Sequence, residues 1–233
     1  MTIGADRTVL ILGSGNLAGD QTAEAVLDTA GFDADLGVQS ALWNGEQFDL
    51  EAYEAVVVLN SFNWRTDIPV AGQQALIDYV EEGGGLVTGE WLIWNDLTPL
   101  ADLLPVEADN RSWITESSLV YTLNTPDVTI NQELNDRVDA SANTETNGSE
   151  TLFLAKPGAT TFYNSVQTDR AGLVGWDYED GRVISFSSVI ADTELQSTDF
   201  AQLFVNSVDW SLDGEASAES RLDARLREFY NAH

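Results

Sequence analysis

Residues 55–91 read AVVVLNSFNWRTDIPVAGQQALIDYVEEGGGLVTGEW, and this stretch decides the fold. It opens on an uninterrupted apolar run, 55–60, rich in the β-branched residues of a strand buried on both faces of a parallel sheet. Pro69 precedes a helix in which Val70, Gln73, Leu76, Ile77 and Val80 recur at helical spacing. Gly83, Gly84 and Gly85 end it, 86–88 form the next short strand, and Gly89-Glu90-Trp91 turns away from it. A strand, a helix and a second strand joined this closely form a right-handed βαβ unit.

The alternation continues upstream. Residues 8–12 are an apolar strand ending in Gly13-Ser14-Gly15-Asn16; a helix over 20–30 stops at Gly31, and 33–39 form a second strand. This order predicts an α/β domain with a doubly wound, mainly parallel sheet of flavodoxin-like type. Beyond Pro105 a β-rich insertion is expected, with strands at 118–123, 127–130, 152–155, 161–164 and 172–176 and a polar loop over 141–150. Residues 178–182 read as a hairpin turn into a strand at 183–187. A helix over 199–212 gathers Phe200, Leu203, Phe204 and Val208 on one face, and a further helix over 216–230 carries alternating charges. The expected organisation is one α/β domain over 1–212 and a C-terminal helical extension over 213–233.

Composition excludes more than it assigns. The net charge is -29, from 39 acidic and 10 basic residues, and Lys156 is the sole lysine. Acidity spread along the chain suits a surface adapted to high salt, where counterions screen self-repulsion. With no basic patch, neither nucleic acid nor an anionic membrane is an expected partner. No apolar run reaches the ~18 residues of a membrane span. The first residues lack the basic and apolar regions of a signal peptide, so a cytoplasmic location is expected. Cysteine is absent and the one histidine is His233, which removes thiol nucleophiles, Ser-His-Asp triads and histidine-ligated metals. No EF-hand pattern is present, and no metal or cofactor is expected.

Several segments together resemble the ThuA-like family of the class I glutamine-amidotransferase-like superfamily. They are the 55–60 strand, AGQQALIDYV at 71–80, GGGLV at 83–87, PDVT at 126–129, GRVIS at 181–185 and the helix from Phe200 to Trp210. The resemblance covers roughly 8–212 and implies the amidotransferase-like fold. It also exposes departures. Where active amidotransferases carry a nucleophilic cysteine, this chain has Gly89-Glu90-Trp91, and where ThuA-like members often carry histidines it has Glu90-Trp91 and Ser187-Ser188. Glutaminase chemistry is therefore excluded. The family's links to sugar metabolism imply a sugar-like ligand.

In an open α/β sheet ligands bind beyond the carboxyl ends of the strands. Residues 13–16, 60–64 and 89–94 should meet there. Ser14, Asn16, Asn60, Ser61 and Asn63, with Asn95 and Asp96, are candidates to bind hydroxyls, and Trp64, Trp91 and Trp94 to stack on a sugar ring. Glu90 has two readings: an acid or base with a raised pKa in a partly apolar pocket, or a cap for the following helix. Gly13-Ser14-Gly15-Asn16 reads as a tight turn, since it lacks both the third glycine of a dinucleotide loop and a Walker lysine. Trp43, Trp113, Trp176 and Trp210 are expected in the core, and Ser187 and Ser188 as structural hydroxyls. Three functions remain open. The first is a non-catalytic domain that binds a small polar, carbohydrate-like molecule or a protein. The second is a histidine-independent enzyme acting on a sugar derivative through Glu90. The third is an assembly module whose C-terminal helix makes a homo-oligomer.

Overall fold

The computed structural model describes residues 7–60, 66–94, 99–145 and 148–212, without the side chains of Glu90, Trp91 and Arg111. Along the chain run β1 (Thr8–Gly13), α1 (Leu17–Thr29), β2 (Asp33–Gln39), β3 (Ala55–Val58), α2 (Val70–Glu81), β4 (Gly85–Thr88), β5 (Val106–Ile114) and β6 (Ser118–Leu123). Then come β7 (Arg137–Ser141), β8 (Glu150–Ala155), β9 (Thr160–Ser165), β10 (Arg170–Tyr178), β11 (Gly181–Phe186), α3 (Asp192–Leu195) and α4 (Thr198–Leu212). The strands form one mixed sheet in the order β2-β1-β3-β4-β11-β10-β9-β6-β7, with β8 against β10 and β5 against β8.

Its first half is parallel: β1 pairs with β2 and β3, β3 with β4, and β4 with β11. From β11 through β10, β9, β6 and β7 every pairing is antiparallel, so the expectation of a mainly parallel sheet holds for that first half alone. Helices cover both faces. Val9, Ile11, Val57, Val87 and Ile184 pack with Ala23 and Leu27 of α1 and Phe200, Leu203 and Phe204 of α4. The alternate residues Leu10, Leu12, Val56, Val58, Leu86 and Val183 pack with Leu76, Ile77 and Val80 of α2. A strand sandwiched in this way needs apolar side chains at every position, which is why 55–58 read as a continuous run.

Gln73 sits on the buried stripe of α2 because both ends of its amide are occupied: Nε2 donates to the Ile68 carbonyl (2.7 Å) and Oε1 accepts from Leu100 N (3.2 Å). The expected strand at 127–130 is instead a turn. Asp127 Oδ1 accepts from the amides of Thr129 (2.9 Å) and Ile130 (3.0 Å), and this local bonding outcompetes a ladder. β5 and β7 escape the sequence reading for identifiable reasons. β5 shifts register between Ala108 and Trp113, with Asn110 at φ 50°, and β7 is a mostly polar edge strand. The anticipated C-terminal helix falls outside the described residues.

Close packing between α2 and the segment before β3 yields a stability prediction. A Cβ on Gly72 would lie 2.3 Å from the Trp43 carbonyl oxygen, while Trp43, fully buried, donates its indole N–H to the Gly72 carbonyl at 3.2 Å. Alanine is the better helix former by about 1 kcal/mol. Gly72→Ala is nevertheless expected to destabilise the protein by roughly 1–3 kcal/mol, because the obstructing atom is backbone. Urea denaturation checks it, and an unchanged or higher midpoint would refute the contact.

Candidate functional site

β1 is bonded to β2 on one side and β3 on the other, so the winding reverses between β1 and β3. The crevice beyond their carboxyl ends is where an α/β sheet receives ligands. The edge is level across three further strands. Val58 and Ser185 both pair with Thr88, and two residues on, the chain reaches Asn60, Glu90 and Ser187. Strands in a sheet lie ~4.8 Å apart, which makes these three residues neighbours along the edge.

Asn60 is 2% exposed, and among the described residues neither its Nδ2 nor its Oδ1 has a hydrogen-bond partner. The contrast with other buried amides is sharp. Gln73 is bonded at both ends, as above. Asn206 donates to the carbonyls of Ile130 (3.0 Å) and Gln132 (2.8 Å) and accepts from Gln202 Nε2 (2.8 Å). An amide buried without partners costs about 1–3 kcal/mol, so such a group calls for an explanation.

The β1–α1 turn is closed on itself. Ser14 N and Oγ both donate to Asp20 Oδ1, at 2.9 and 2.6 Å, and Asn16 N donates to Ser14 Oγ at 3.1 Å. Asp20 therefore occupies, from within the chain, the donors that a bound anion would use. Burial pushes its carboxyl above the usual range, opposed by the bonds from Ser14 and Gly15. Asn16 precedes α1 but makes no side-chain cap bond; its Nδ2 lies 3.4 Å from where a Cβ on Gly19 would sit, and Asp192 N lies 3.7 Å from that same point.

Of the remaining sequence candidates, Ser61, Asn63, Trp64, Asn95 and Asp96 lie outside the described residues. Glu90 and Trp91 are described by backbone alone, as the opening residues of a 3-10 helix over Glu90–Trp94. Glu90 is thus inside this short helix and not the residue before it. Trp94 donates its indole N–H to Thr151 Oγ1 (2.6 Å) and meets Trp113 edge-on, ring centroids 5.0 Å apart. Trp113, expected in the core, is 50% exposed, whereas Trp43 and Trp210 are buried.

The β11 side of the edge holds groups that sequence reasoning passed over. Glu150, at the start of β8, is buried; its Oε1 accepts from Ser187 Oγ (2.7 Å) and its Oε2 from Ser165 Oγ (2.9 Å). Tyr121 Oη lies 2.9 Å from Ser187 Oγ and donates to Ser188 Oγ at 3.1 Å. Burial raises the Glu150 carboxyl to about 7 against the two serine bonds. Burial, and then the charge of Glu150, raise the Tyr121 phenol well above its ordinary value. Beside this network Thr88 Oγ1 and Ser185 Oγ are hydrogen-bonded at 2.7 Å. Glu194 of α3 is buried as well. Its Oε1 accepts from Asn143 N, its Oε2 has no partner among the described residues, and burial raises it to about 8. Glu150 lies at the junction of a polar loop and an apolar strand, where a lone acid reads as loop. The signal that could have found it is the serine pair, Ser187-Ser188, that directly follows a β-strand. Among the described residues no group of three or more His, Cys, Asp or Glu could hold a metal ion.

No family model matches the chain, and no curated protein matches its sequence. Solved structures do. A cytoplasmic protein from Salmonella typhimurium is 16% identical, with 88% of this chain and 98% of that one covered at a TM-score of 0.65. A protein from Bacteroides uniformis described as ThuA-like is 13% identical, with 92% and 95% covered at 0.66. A glutamine amidotransferase from Thermotoga maritima is 11% identical, with 90% and 100% covered at 0.61.

The chain has the ThuA-like, class I glutamine-amidotransferase-like fold. On that fold the turn after β4 is Gly89-Glu90, and Ser187 and Ser188, which follow β11, are bonded into the Glu150 network.

The buried acids set a pH dependence. Glu150 and Glu194 have ordinary values of 4.5 and folded values of about 7 and about 8. Between those limits the folded state keeps protons that the unfolded chain has lost, so stability falls as pH rises. The contribution is complete below about 4.5 and is lost as pH climbs through about 7 for Glu150 and about 8 for Glu194. Each group contributes a slope of at most about 1.4 kcal/mol per pH unit. Glu194→Gln is expected to flatten the upper part of this profile in urea melts at constant high salt. An unaltered profile would show that Glu194 ionises normally in the folded protein.

Proposed function

We propose that the protein is a binding domain on a doubly wound, flavodoxin-like frame. It takes a small, neutral, polar molecule of carbohydrate type at the carboxyl edge beside Asn60. The observation that carries this reading is the buried Asn60 amide, which among the described residues is unpartnered on both its donor and its acceptor side at the point where the winding reverses. A hydroxyl both donates and accepts, so a polyol satisfies such an amide with one or two groups. Neutrality follows from charge: the chain carries -29, and Asp20, Glu150 and Glu194 are all shifted towards their protonated forms. A cytoplasmic location is part of the proposal, supported by the cytoplasmic protein of the same fold. Ser61, Asn63, Trp64 and Trp91 belong to the proposed site by their place in the chain.

Asn60→Leu separates stability from binding. Removing a buried unsatisfied amide is expected to stabilise the free protein by about 1–3 kcal/mol while abolishing the ligand's effect. Thermal melts of both proteins at high salt, alone and with a panel of monosaccharides and disaccharides, give the answer. No upward shift of the wild type with any sugar rejects the carbohydrate class, and a less stable Asn60→Leu protein means that Asn60 has a partner in the free state.

A second reading, turnover of the bound sugar with Glu90 as acid or base, is favoured by the registered row that sets Glu90 between Asn60 and Ser187. For an enzyme, Glu90→Gln keeps the thermal shift and loses turnover, typically by 100-fold or more. A Glu90→Gln protein that turns sugar over at the wild-type rate removes this reading.

A further inference from the structure

On the sheet face opposite to α1 and α4, a groove of about 210 Å³ lies between α2 and the connection that leads into β3. Its apolar lining is Phe48, Leu50, Ala75 and Tyr79. Every other side chain in it is an acid: Asp49, Glu51, Asp78 and Glu82, all of them exposed. Two of these acids accept from neutral donors close by in sequence. Glu51 N donates to Asp49 Oδ1 at 3.2 Å, and Gln74 Nε2 to Asp78 Oδ1 at 2.7 Å. Among the described residues no arginine or lysine pairs with Asp49, Asp78 or Glu82, while Arg7, Arg137, Arg170 and Arg182 are paired with acids elsewhere. An apolar groove bordered by charge of one sign fits an occupant with apolar side chains flanked by cations.

The chain itself supplies such an occupant. Arg221, Arg225 and Arg227, three of the nine arginines, fall within seven residues of the segment that follows α4. On a helix over 216–230, Leu222, Leu226 and Phe229 stand at i, i+4 and i+7 and share one face, which Arg221 and Arg225 flank. A helix this short is marginal in water by itself, so its apolar stripe needs a surface. The groove is within reach. A Cβ on Gly85 would lie 2.6 Å from Ser211 Oγ, and a Cβ on the adjacent Gly84 would lie 2.3 Å from the Tyr79 ring. The last turn of α4 and the groove lining are therefore separated by the two glycines at the amino end of β4. Residues 213–220 span up to roughly 26 Å when extended, more than this passage requires.

We propose that residues 216–230 dock within the same chain as an amphipathic helix over this groove. Leu222, Leu226 and Phe229 meet Phe48, Ala75 and Tyr79, and the arginines face Asp49, Asp78 and Glu82. The groove admits side chains and not a whole helix, which is about 10 Å across, so the helix lies over it and inserts one stripe. The docked segment ties α2 to the connection before β3 a second time, beside the bond from the Trp43 indole to the Gly72 carbonyl. Exposed ion pairs are screened by salt, whereas burial of apolar surface is not weakened by it. In a chain suited to high salt, the apolar stripe holds the helix and the arginines set its orientation. The docking is independent of the ligand site at the carboxyl edge.

The experiment measures a distance in the full chain. Cysteine is absent, so two introduced cysteines take nitroxide labels alone. Glu81→Cys, exposed on the last turn of α2, and Asn231→Cys lie outside the groove lining and the apolar stripe. Pulsed electron paramagnetic resonance at high salt is expected to give one narrow distance distribution. Adding Leu222→Asp and Leu226→Asp is expected to abolish the narrow component, since a released segment of this length behaves as a coil with an r.m.s. extension of about 25 Å. Ala75→Arg, which fills the groove and repels the arginines, is expected to do the same. Asp78→Arg with Glu82→Arg, at exposed positions, decides the matter if Ala75→Arg fails to fold. A broad distribution with stripe and groove intact overturns the docking. A narrow one that survives the groove substitutions overturns this groove as its place. Protein labelled at Asn231→Cys alone is expected to show no coupling between labels. Coupling there places the segment on a second copy and overturns docking within one chain.

Discussion

The constraint on which the rest depends is that β1, β3, β4 and β11 run parallel and are covered by helices or their connections on both faces. Such strands carry almost no polarity along their length: Val9 to Leu12 and Ala55 to Val58 are all fully buried. The chain can present polar groups only where each strand ends, and because the strands are parallel they end at the same side. Ser14, Asn60, Glu90 and Ser187 are consequences of that geometry. Polar residues at the middle of these strands would have no partners, whereas at the edge each can be bonded to a neighbouring turn, as Ser14 is, or left for a ligand, as Asn60 is.

Among the described residues the buried carboxyls of Asp20, Glu150 and Glu194 are all shifted upward, first of all by burial. The cations among the described residues are tied to structure. Arg7 sits over Phe32 and pairs with Asp209, Arg182 sits over Trp210 and pairs with Asp177, and Lys156 donates to the Ala101 carbonyl at 2.6 Å while facing the Trp176 ring. These contacts use the flat or stem-rich parts of the side chains as packing material, and such exposed ion pairs contribute about 0–1 kcal/mol. With arginine and lysine engaged in this way, a carboxyl buried at the edge is less readily neutralised by a partner. It is neutralised by a proton instead, and so Glu150 and Glu194 are shifted upward, where a salt-bridged acid would be shifted downward.

The parallel half of the fold was legible in the sequence because two-sided burial and helical spacing leave strong periodic signals. The 33–39 strand and the 70–80 helix follow from them, and in the antiparallel half the 118–123 strand and the 178–182 hairpin were legible from alternation and turn residues. The antiparallel half was less so. An edge strand such as β7 is patterned by solvent as much as by core, and the register shift in β5 breaks its alternation. At 127–130 the Asp127 side chain supplies turn bonds that β-propensity does not register. For the site, topology placed Asn60 at the edge from sequence alone, since any residue ending a central strand must be there. That its amide lacks partners depends on how Leu59, Ser40 and the neighbouring turns settle, which no local pattern encodes. Glu150, Ser187 and Tyr121 come from three separated segments, and their meeting is a property of the antiparallel half that the sequence left unread.

Two turns at the same edge differ in whether their polar groups are already engaged. The β1–α1 turn has the glycines and the helix start of an anion site, but Asp20 is folded into it and engages both Ser14 donors. An incoming anion would have to displace a buried internal group on a protein of charge -29. The end of β3 is the opposite case: Asn60 offers a donor and an acceptor that nothing among the described residues takes up. This contrast between a closed turn and an open one is the ground for assigning the proposed ligand to the end of β3. The reading proposed above therefore sets a neutral polar ligand beside Asn60, where it would meet the amide without displacing an internal bond such as those of Ser14 to Asp20.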